Sequence, residues 1–125
     1  MRIFKTKWFT RFARKEGISA NTLLAASKEV ESGNFDADLG GGVYKQRVAR
    51  PGEGKSGGYR TILCYKAGER IFFLYGFPKS AKDNIAQDEE KTFKKLARHL
   101  NEMPEAAIEG MLKTGDLEEI QYEEG

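Results

Sequence analysis

Three runs decide the fold: VYKQRVA at 43–49, YRTILCYK at 59–66 and RIFFLYGF at 70–77. The first alternates with period two, so Lys45 and Arg47 point to the same side of a strand. The other two are apolar enough for central strands packed against helices. AGE at 67–69 is short enough to turn the second run into the third as a hairpin. The Gly-rich RPGEGKSGG at 50–58 reads as the turn joining the first run to the second. Pro78 ends the third strand.

Outward from this meander the period lengthens. Residues 3–8 read as a short first strand. Phe9, Phe12 and Ala13 then fall at helical spacing, and Gly17 closes that helix. Ser19 or Asn21 caps a second helix carrying Leu23, Leu24, Ala26 and Val30, which stops near Gly33 and Asn34. FDADLGGG at 35–42 reads as loop. On the other flank Ser80 and Asp83 form a capping-box pattern for a helix over 82–101, with Ile85, Phe93, Leu96, Ala97 and Leu100 on one face. Pro104 opens a further helix through Lys113, and a short strand is expected around 120–122. The expectation is an α+β sandwich. Two N-terminal helices pack on a small, mainly antiparallel twisted sheet of three to four strands, followed by C-terminal helices. One domain over 1–125 is expected, its core at about 1–101 and its last helix and acidic tail at 104–125.

Composition narrows the chemistry. The chain has 125 residues, 39% hydrophobic and 32% charged, which excludes a disordered chain and a membrane-embedded one. A chain this long buries roughly two thirds of its unfolded surface without a disulfide or metal staple. One Cys and one His exclude an internal disulfide, a Cys-rich zinc site and catalysis by a histidine pair. MRIFKTKW at 1–8 carries basic residues without an apolar h-region, so a soluble cytoplasmic protein with no metal and no cofactor is expected. His99 lies late in a helix, where a cation suits the dipole, and Cys64 reads as an inert core residue. Trp8, Phe9 and Phe12 read as core.

The net charge of +2 conceals an asymmetry. Residues 42–66 carry Lys45, Arg47, Arg50, Lys55, Arg60 and Lys66 against Glu53, whereas 86–125 hold 5 basic and 11 acidic side chains. A polyanion-binding face confined to the middle follows. GEGKS at 52–56 has P-loop flavour, but Ala49 stands where the first Gly is required and a strand follows where a helix should. A nucleotide triphosphatase is thereby excluded. The stronger constellation is Lys45, Arg47, Lys55, Arg60, Lys79 and Lys82, which the meander can bring to one side. Cations forced together repel, so such a cluster is usually kept for an anion. Tyr44, Tyr59, Tyr65 and Tyr75 interleave with it, either to stack on bases or as core and sheet surface.

DLGGGVYKQRVA (38–49), GKSGGYRTI (54–62), FFLYGFPKS (72–80) and DNI (83–85) together resemble the RelE/ParE toxin superfamily, and within it the HigB-like branch of RelE toxins. The resemblance spans roughly 1–101. It implies the toxin of a type II toxin–antitoxin pair, a ribosome-dependent mRNA endoribonuclease that blocks translation. Such members cut in the ribosomal A site without a metal, using the substrate 2′-hydroxyl and leaving a 2′,3′-cyclic phosphate. On that pattern Lys45 assists deprotonation, Arg60 stabilises the pentavalent phosphate and Lys79 helps the leaving 5′-oxygen. Arg47, Lys55, Lys82 and Tyr59 would hold the RNA. RelE itself has a Lys where Arg47 stands here, and an arginine keeps its proton, so Lys45 is the better base. RelE also has a C-terminal base-stacking Tyr, and Ile85 and Ala86 stand near the matching position. The implied partners are mRNA, the ribosome and a cognate antitoxin, a helix-turn-helix protein encoded alongside, with no membrane. Grooves around Phe9, Phe12, Leu23 and Val30 are offered as its docking place. Two other readings stay open, a ParE-like gyrase inhibitor and a non-catalytic RNA-binding module. The set Lys45, Arg47, Arg60 and Lys79 favours cleavage.

Overall fold

The computed structural model describes residues 1–50, 54–80 and 84–122, with 54–57 as backbone only. The three runs become the centre of a sheet: β3 (Val43–Arg50), β4 (Gly54–Lys66) and β5 (Arg70–Pro78), paired antiparallel in succession. The β4–β5 hairpin turns through Gly68, whose φ of 76° suits a residue without a Cβ. Beside β5 lies β1 (Arg2–Thr6) in parallel, and β6 (Leu117–Glu119) pairs antiparallel outside β1. At the other edge β2 (Ala37–Gly40) pairs antiparallel with β3. The order β2-β3-β4-β5-β1-β6 makes six strands among the described residues, against the three to four expected.

The two additional strands are short edge pieces. β2 lies where a loop was expected, in an Ala-Asp-Leu-Gly stretch with little β-propensity, and exists because β3 offers it a free ladder. β6 comes three residues earlier than expected, with Leu117 turned into the core. The first strand also ends early. The Thr6 hydroxyl accepts from the Phe9 N–H at 3.2 Å and so caps α1 (Lys7–Glu16). It donates to the Leu74 carbonyl at 3.2 Å, which ties the start of α1 to β5. Gly17 closes α1 in the left-handed region, and Ser19 caps α2 (Ala20–Glu31), both as expected.

The helices sit on both faces, which corrects the expected arrangement. Phe9, Ala13, Leu23, Ala26 and Val30 of α1 and α2 pack on Ile3, Val48, Tyr59, Leu63, Ile71 and Phe73. Beneath the sheet, Ala97 and Leu100 of α3 (Gln87–Asn101) and Ile108 of α4 (Glu105–Thr114) pack on Phe4, Val43, Ile62, Cys64 and Phe72. Phe9, Leu23 and Val30 are therefore core, and of the four residues expected around a partner groove Phe12 lines one, with Trp8, Arg11 and Lys15. Helix α3 starts later than the Ser80 pattern predicts. The Glu89 carboxylate accepts from the Ala86 N–H at 3.0 Å, but Ala86 has no oxygen to return the bond. Ser80 lies in a turn, and Asp83 is outside the described residues.

The acidic C-terminal segment is absorbed at the β6 edge. Arg2 bonds Glu119 through Nε and Nη2 (3.0 and 2.9 Å) and reaches Glu105 and Glu109 of α4, while Lys5 meets Glu118 at 3.1 Å. The hydrogen bonds to Glu119 lead the causes that raise the Arg2 pKa. β6 lies four strands from β3 and three from β4, so Glu118 and Glu119 do not fold back over the basic middle.

Cys64 is enclosed on β4 between Val43 and Phe72, and burial pushes its thiol up to about 12. The thiolate is the reacting form. The expected outcome is no reaction with a thiol-specific disulfide reagent at pH 8 in the native protein, and one equivalent released in denaturant. Rapid native labelling would show that the sheet opens at its centre.

Candidate nucleic-acid interface

The face beneath the sheet carries the basic cluster, and register decides its membership. Arg47 lies opposite Arg60 and Lys45 opposite Ile62 across β3 and β4. Across β4 and β5, Arg60 faces Phe77 and Ile62 faces Tyr75. Lys45, Arg47, Arg60, Tyr75 and Phe77 thus share the side that also holds Ile62, Cys64 and Phe72. The register of β5 shifts by one residue at Leu74, between the pairs Ile62–Tyr75 and Leu63–Phe73. Without that bulge the alternation of Phe72 would carry Leu74 and Gly76, not Tyr75 and Phe77, to this side.

Directly opposed like charges destabilise a strand pair. Asp36 relieves the Arg47–Arg60 pair by holding Arg47. Its Oδ1 lies 3.4 Å from Nε, and its Oδ2 accepts the Arg47 backbone N–H. Asp36 is itself placed by Gln46, whose Oε1 accepts the Asp36 N–H at 3.2 Å while Nε2 donates to the Asn34 carbonyl at 3.3 Å. Among the described residues Lys45 and Arg60 have no such counter-ion. They are diagonal neighbours, with Cα atoms about 7–8 Å apart on the usual lattice.

Arg60 stands on a central strand, 6% exposed, and its Nη1 finds no acceptor among the described residues. A guanidinium in that position offers donors to an anion and gains nothing for the fold by itself. Two residues before it, Gly58 allows β3 and β4 to meet. A Cβ there would lie 2.2 Å from the Val48 carbonyl oxygen. Lys79 is exposed just beyond β5, its N–H bonded to the Gly58 carbonyl at 3.2 Å, which holds it at the same end of the strand pair.

Other expected members separate. Tyr59 is 1% exposed on the opposite side, its hydroxyl donating to the Glu16 carbonyl at 3.3 Å, so the core claims it and it is removed from the RNA-binding set. Tyr44 and Tyr65 also pack on that side, Tyr44 against Phe35 at 4.8 Å between ring centres. Of the four tyrosines only Tyr75 joins the cations. The side chain of Lys55 and the whole of Lys82 lie outside the described residues. Trp8, expected in the core, is 47% exposed and lies against Tyr75 at 4.5 Å. A helix beginning at Lys7 rather than after Trp8 is what turns it outward, and the Thr6 cap was the available signal.

A second basic groove of about 500 Å³ lies between Gly41–Gly42 and α3, lined by Lys94, Lys95 and Arg98. Two of its cations are engaged by acids of their own helix, Lys94 with Glu90 (4.0 Å) and Arg98 with Glu102 (3.7 Å). The sheet face is the better anion site because its Lys45 and Arg60 have no carboxylate partner among the described residues. Among the described residues no three His, Cys, Asp or Glu side chains group so as to hold a metal ion.

Compared with known families, residues 1–120 match the family described as RelE toxin of RelE / RelB toxin-antitoxin system. That span runs through α4 and β6, beyond the 1–101 of the motif resemblance. No curated protein matches the chain.

The uncompensated Arg60 generates a stability test. Arg60→Met keeps most of the buried volume and removes the charge, so urea unfolding should show stability equal to wild type or up to about 2 kcal/mol higher. A loss above about 1 kcal/mol would mean that Arg60 holds the sheet together.

Proposed function

The chain belongs to the RelE toxin family of RelE/RelB toxin–antitoxin systems, and on that premise we propose that it is a HigB-like, ribosome-dependent mRNA endoribonuclease. The observation that carries this reading is the pair Lys45 and Arg60, diagonal on one sheet face and without a carboxylate partner among the described residues. An inhibitor acting by bulk alone has no need of a buried guanidinium with a free donor.

The reaction assigned to this face is a transesterification. The substrate 2′-oxygen attacks the adjacent phosphorus as Lys45 assists loss of its proton. Charge accumulates on the non-bridging oxygens of the pentavalent phosphate, where Arg60 donates. The bond to the 5′-oxygen breaks, and Lys79 helps that oxygen to leave as a hydroxyl. The products are a 2′,3′-cyclic phosphate and a free 5′-hydroxyl, and the step needs no metal and no water. Arg47, already bound to Asp36, serves as a phosphate contact with no part in proton transfer.

In-line attack requires the 2′-oxygen, the phosphorus and the leaving oxygen to be aligned. The sheet face supplies the charge, and bending the RNA chain into that line is assigned to the ribosomal A site. The partners in this reading are the ribosome with its mRNA in the cytoplasm, and a helix-turn-helix antitoxin that shields the cations until needed.

Mapping RNA ends after induction tests the whole reading. Growth should arrest with loss of pulse-labelled protein, and cyclic-phosphate ends should map to ribosome-bound message while naked mRNA is cut very slowly. Lys45→Ala and Arg60→Met should each lower the cleavage rate about 10²–10³-fold, and Lys79→Ala less. Arrest with protein synthesis intact and supercoiling failing would transfer the protein to gyrase inhibition. Full toxicity in both variants at equal expression would remove the site assignment.

A further inference from the structure

Trp8 is the one large apolar side chain left exposed among the described residues. A single exposed apolar residue is ordinary and needs no explanation. Three observations set this one apart. Its ring is held, stacked on Phe12 (5.6 Å, 18°) and tilted against Tyr75 (4.5 Å, 39°), so ordering it for a ligand costs little further entropy. Arg11 and Lys15 follow at i+3 and i+7 on the same stripe of α1, and with Trp8 and Phe12 they line a groove of about 260 Å³. Lys7, Arg11, Arg14 and Lys15 are all exposed, and none has a carboxylate at ion-pair distance among the described residues.

Position adds a fourth. β1 ends at Thr6, so the Tyr75–Pro78 half of β5 has a strand only on its β4 side, and Trp8 bridges the other edge from Phe12 above the sheet to Tyr75 below. Tyr75 faces Ile62, and Ile62 faces Lys45. Two strand spacings, about 10 Å, separate the Lys45 and Tyr75 backbones, a distance spanned by a few nucleotides.

We propose that Trp8 is a stacking platform for an unpaired base of the RNA chain leaving the Lys45–Arg60 face, with Arg11 and Lys15 on the flanking phosphates. This rests on the RNA-cleaving reading above and adds a binding subsite to it. A nucleobase fits better than an acidic helix. A docked helix needs an apolar strip several residues long, whereas this groove is one ring wide with cations on its rim. Stacking on a π-face is sequence-tolerant, so the subsite would hold the chain without choosing a base.

Trp8 is the single tryptophan of the chain, so its emission reports this site alone. The probe is a short end-labelled single-stranded 2′-O-methyl RNA, which lacks the nucleophile and cannot be cut. It is compared with an abasic backbone of the same length. Titration of the full chain should quench the emission along the same isotherm as the label's anisotropy, and the abasic backbone should bind without quenching. Trp8→Ala should weaken the anisotropy isotherm about tenfold and Trp8→Phe less than about threefold. Removing Arg11 and Lys15 together should reduce the salt slope by about one to two. Saturable RNA binding with unmoved emission and an unaffected Trp8→Ala variant would overturn the subsite, as would the absence of any binding. Because this RNA cannot react, failure here leaves ribosomal cleavage to be judged on its own result, and failure of cleavage leaves this titration intact.

Discussion

One extra residue in β5 sets which side chains face which layer. Leu74 breaks the register, so Phe72 and Leu74 look down into the α3–α4 core while Tyr75 and Phe77 continue on that same side. Gly76 is thereby turned up toward α1, where the Phe12 ring lies so close that a Cβ would sit 2.6 Å from it. Bulges tighten twist and re-aim side chains beside functional surfaces. Here the bulge places aromatic rings next to Arg60 and lets α1 close on the strand end that β1 vacates. The side taken by Tyr75 and Phe77 and the seat of α1 over Gly76 follow from that single break.

Charge is handled in opposite ways at the two ends of the sheet. At the β1–β6 edge Arg2 and Lys5 are matched by Glu118, Glu119, Glu105 and Glu109, which joins the first strand, the last strand and α4. Partly exposed pairs of this kind contribute modestly each, but the three carboxylates on Arg2 form a network, with Lys5–Glu118 beside it. On the basic face Arg47 is matched through Asp36, while Lys45 and Arg60 have no carboxylate partner among the described residues. The chain has acids enough to neutralise them and spends them elsewhere, as expected of a face whose counter-ion arrives from outside.

The meander, its hairpin at Gly68, the α1 and α2 boundaries near Gly17 and Ser19, and the shared side of Lys45 and Arg47 were legible because period and turn chemistry are local. β2 was not, and β6 was expected three residues too late, since both form only against a neighbour that has already folded and neither Ala-Asp-Leu-Gly nor Leu-Glu-Glu advertises a strand. Tyr59 illustrates a second limit. Its neighbours in sequence are basic, yet strand alternation sends it to the opposite core from Arg60. Trp8 illustrates a third. An aromatic cluster reads as buried, and only the Thr6 hydroxyl, which starts the helix one residue before Trp8, brings it to the surface. The late start of α3 has the same origin, because the Ser80 pattern is sound in spacing but Glu89 provides the cap that forms.

The pairing of β1 carries an implication for the order of assembly. Residues 2–6 lie between 70–73 on one side and 117–119 on the other. During synthesis the β3–β4–β5 meander can close as soon as it emerges, since its contacts are near in sequence, and β1 can then dock on β5, whereas β6 and the carboxylates of Arg2 come later in the chain. The basic face therefore forms before Arg2 finds its carboxylates. Through that interval the nascent chain exposes apolar strand edges and bare cations at once.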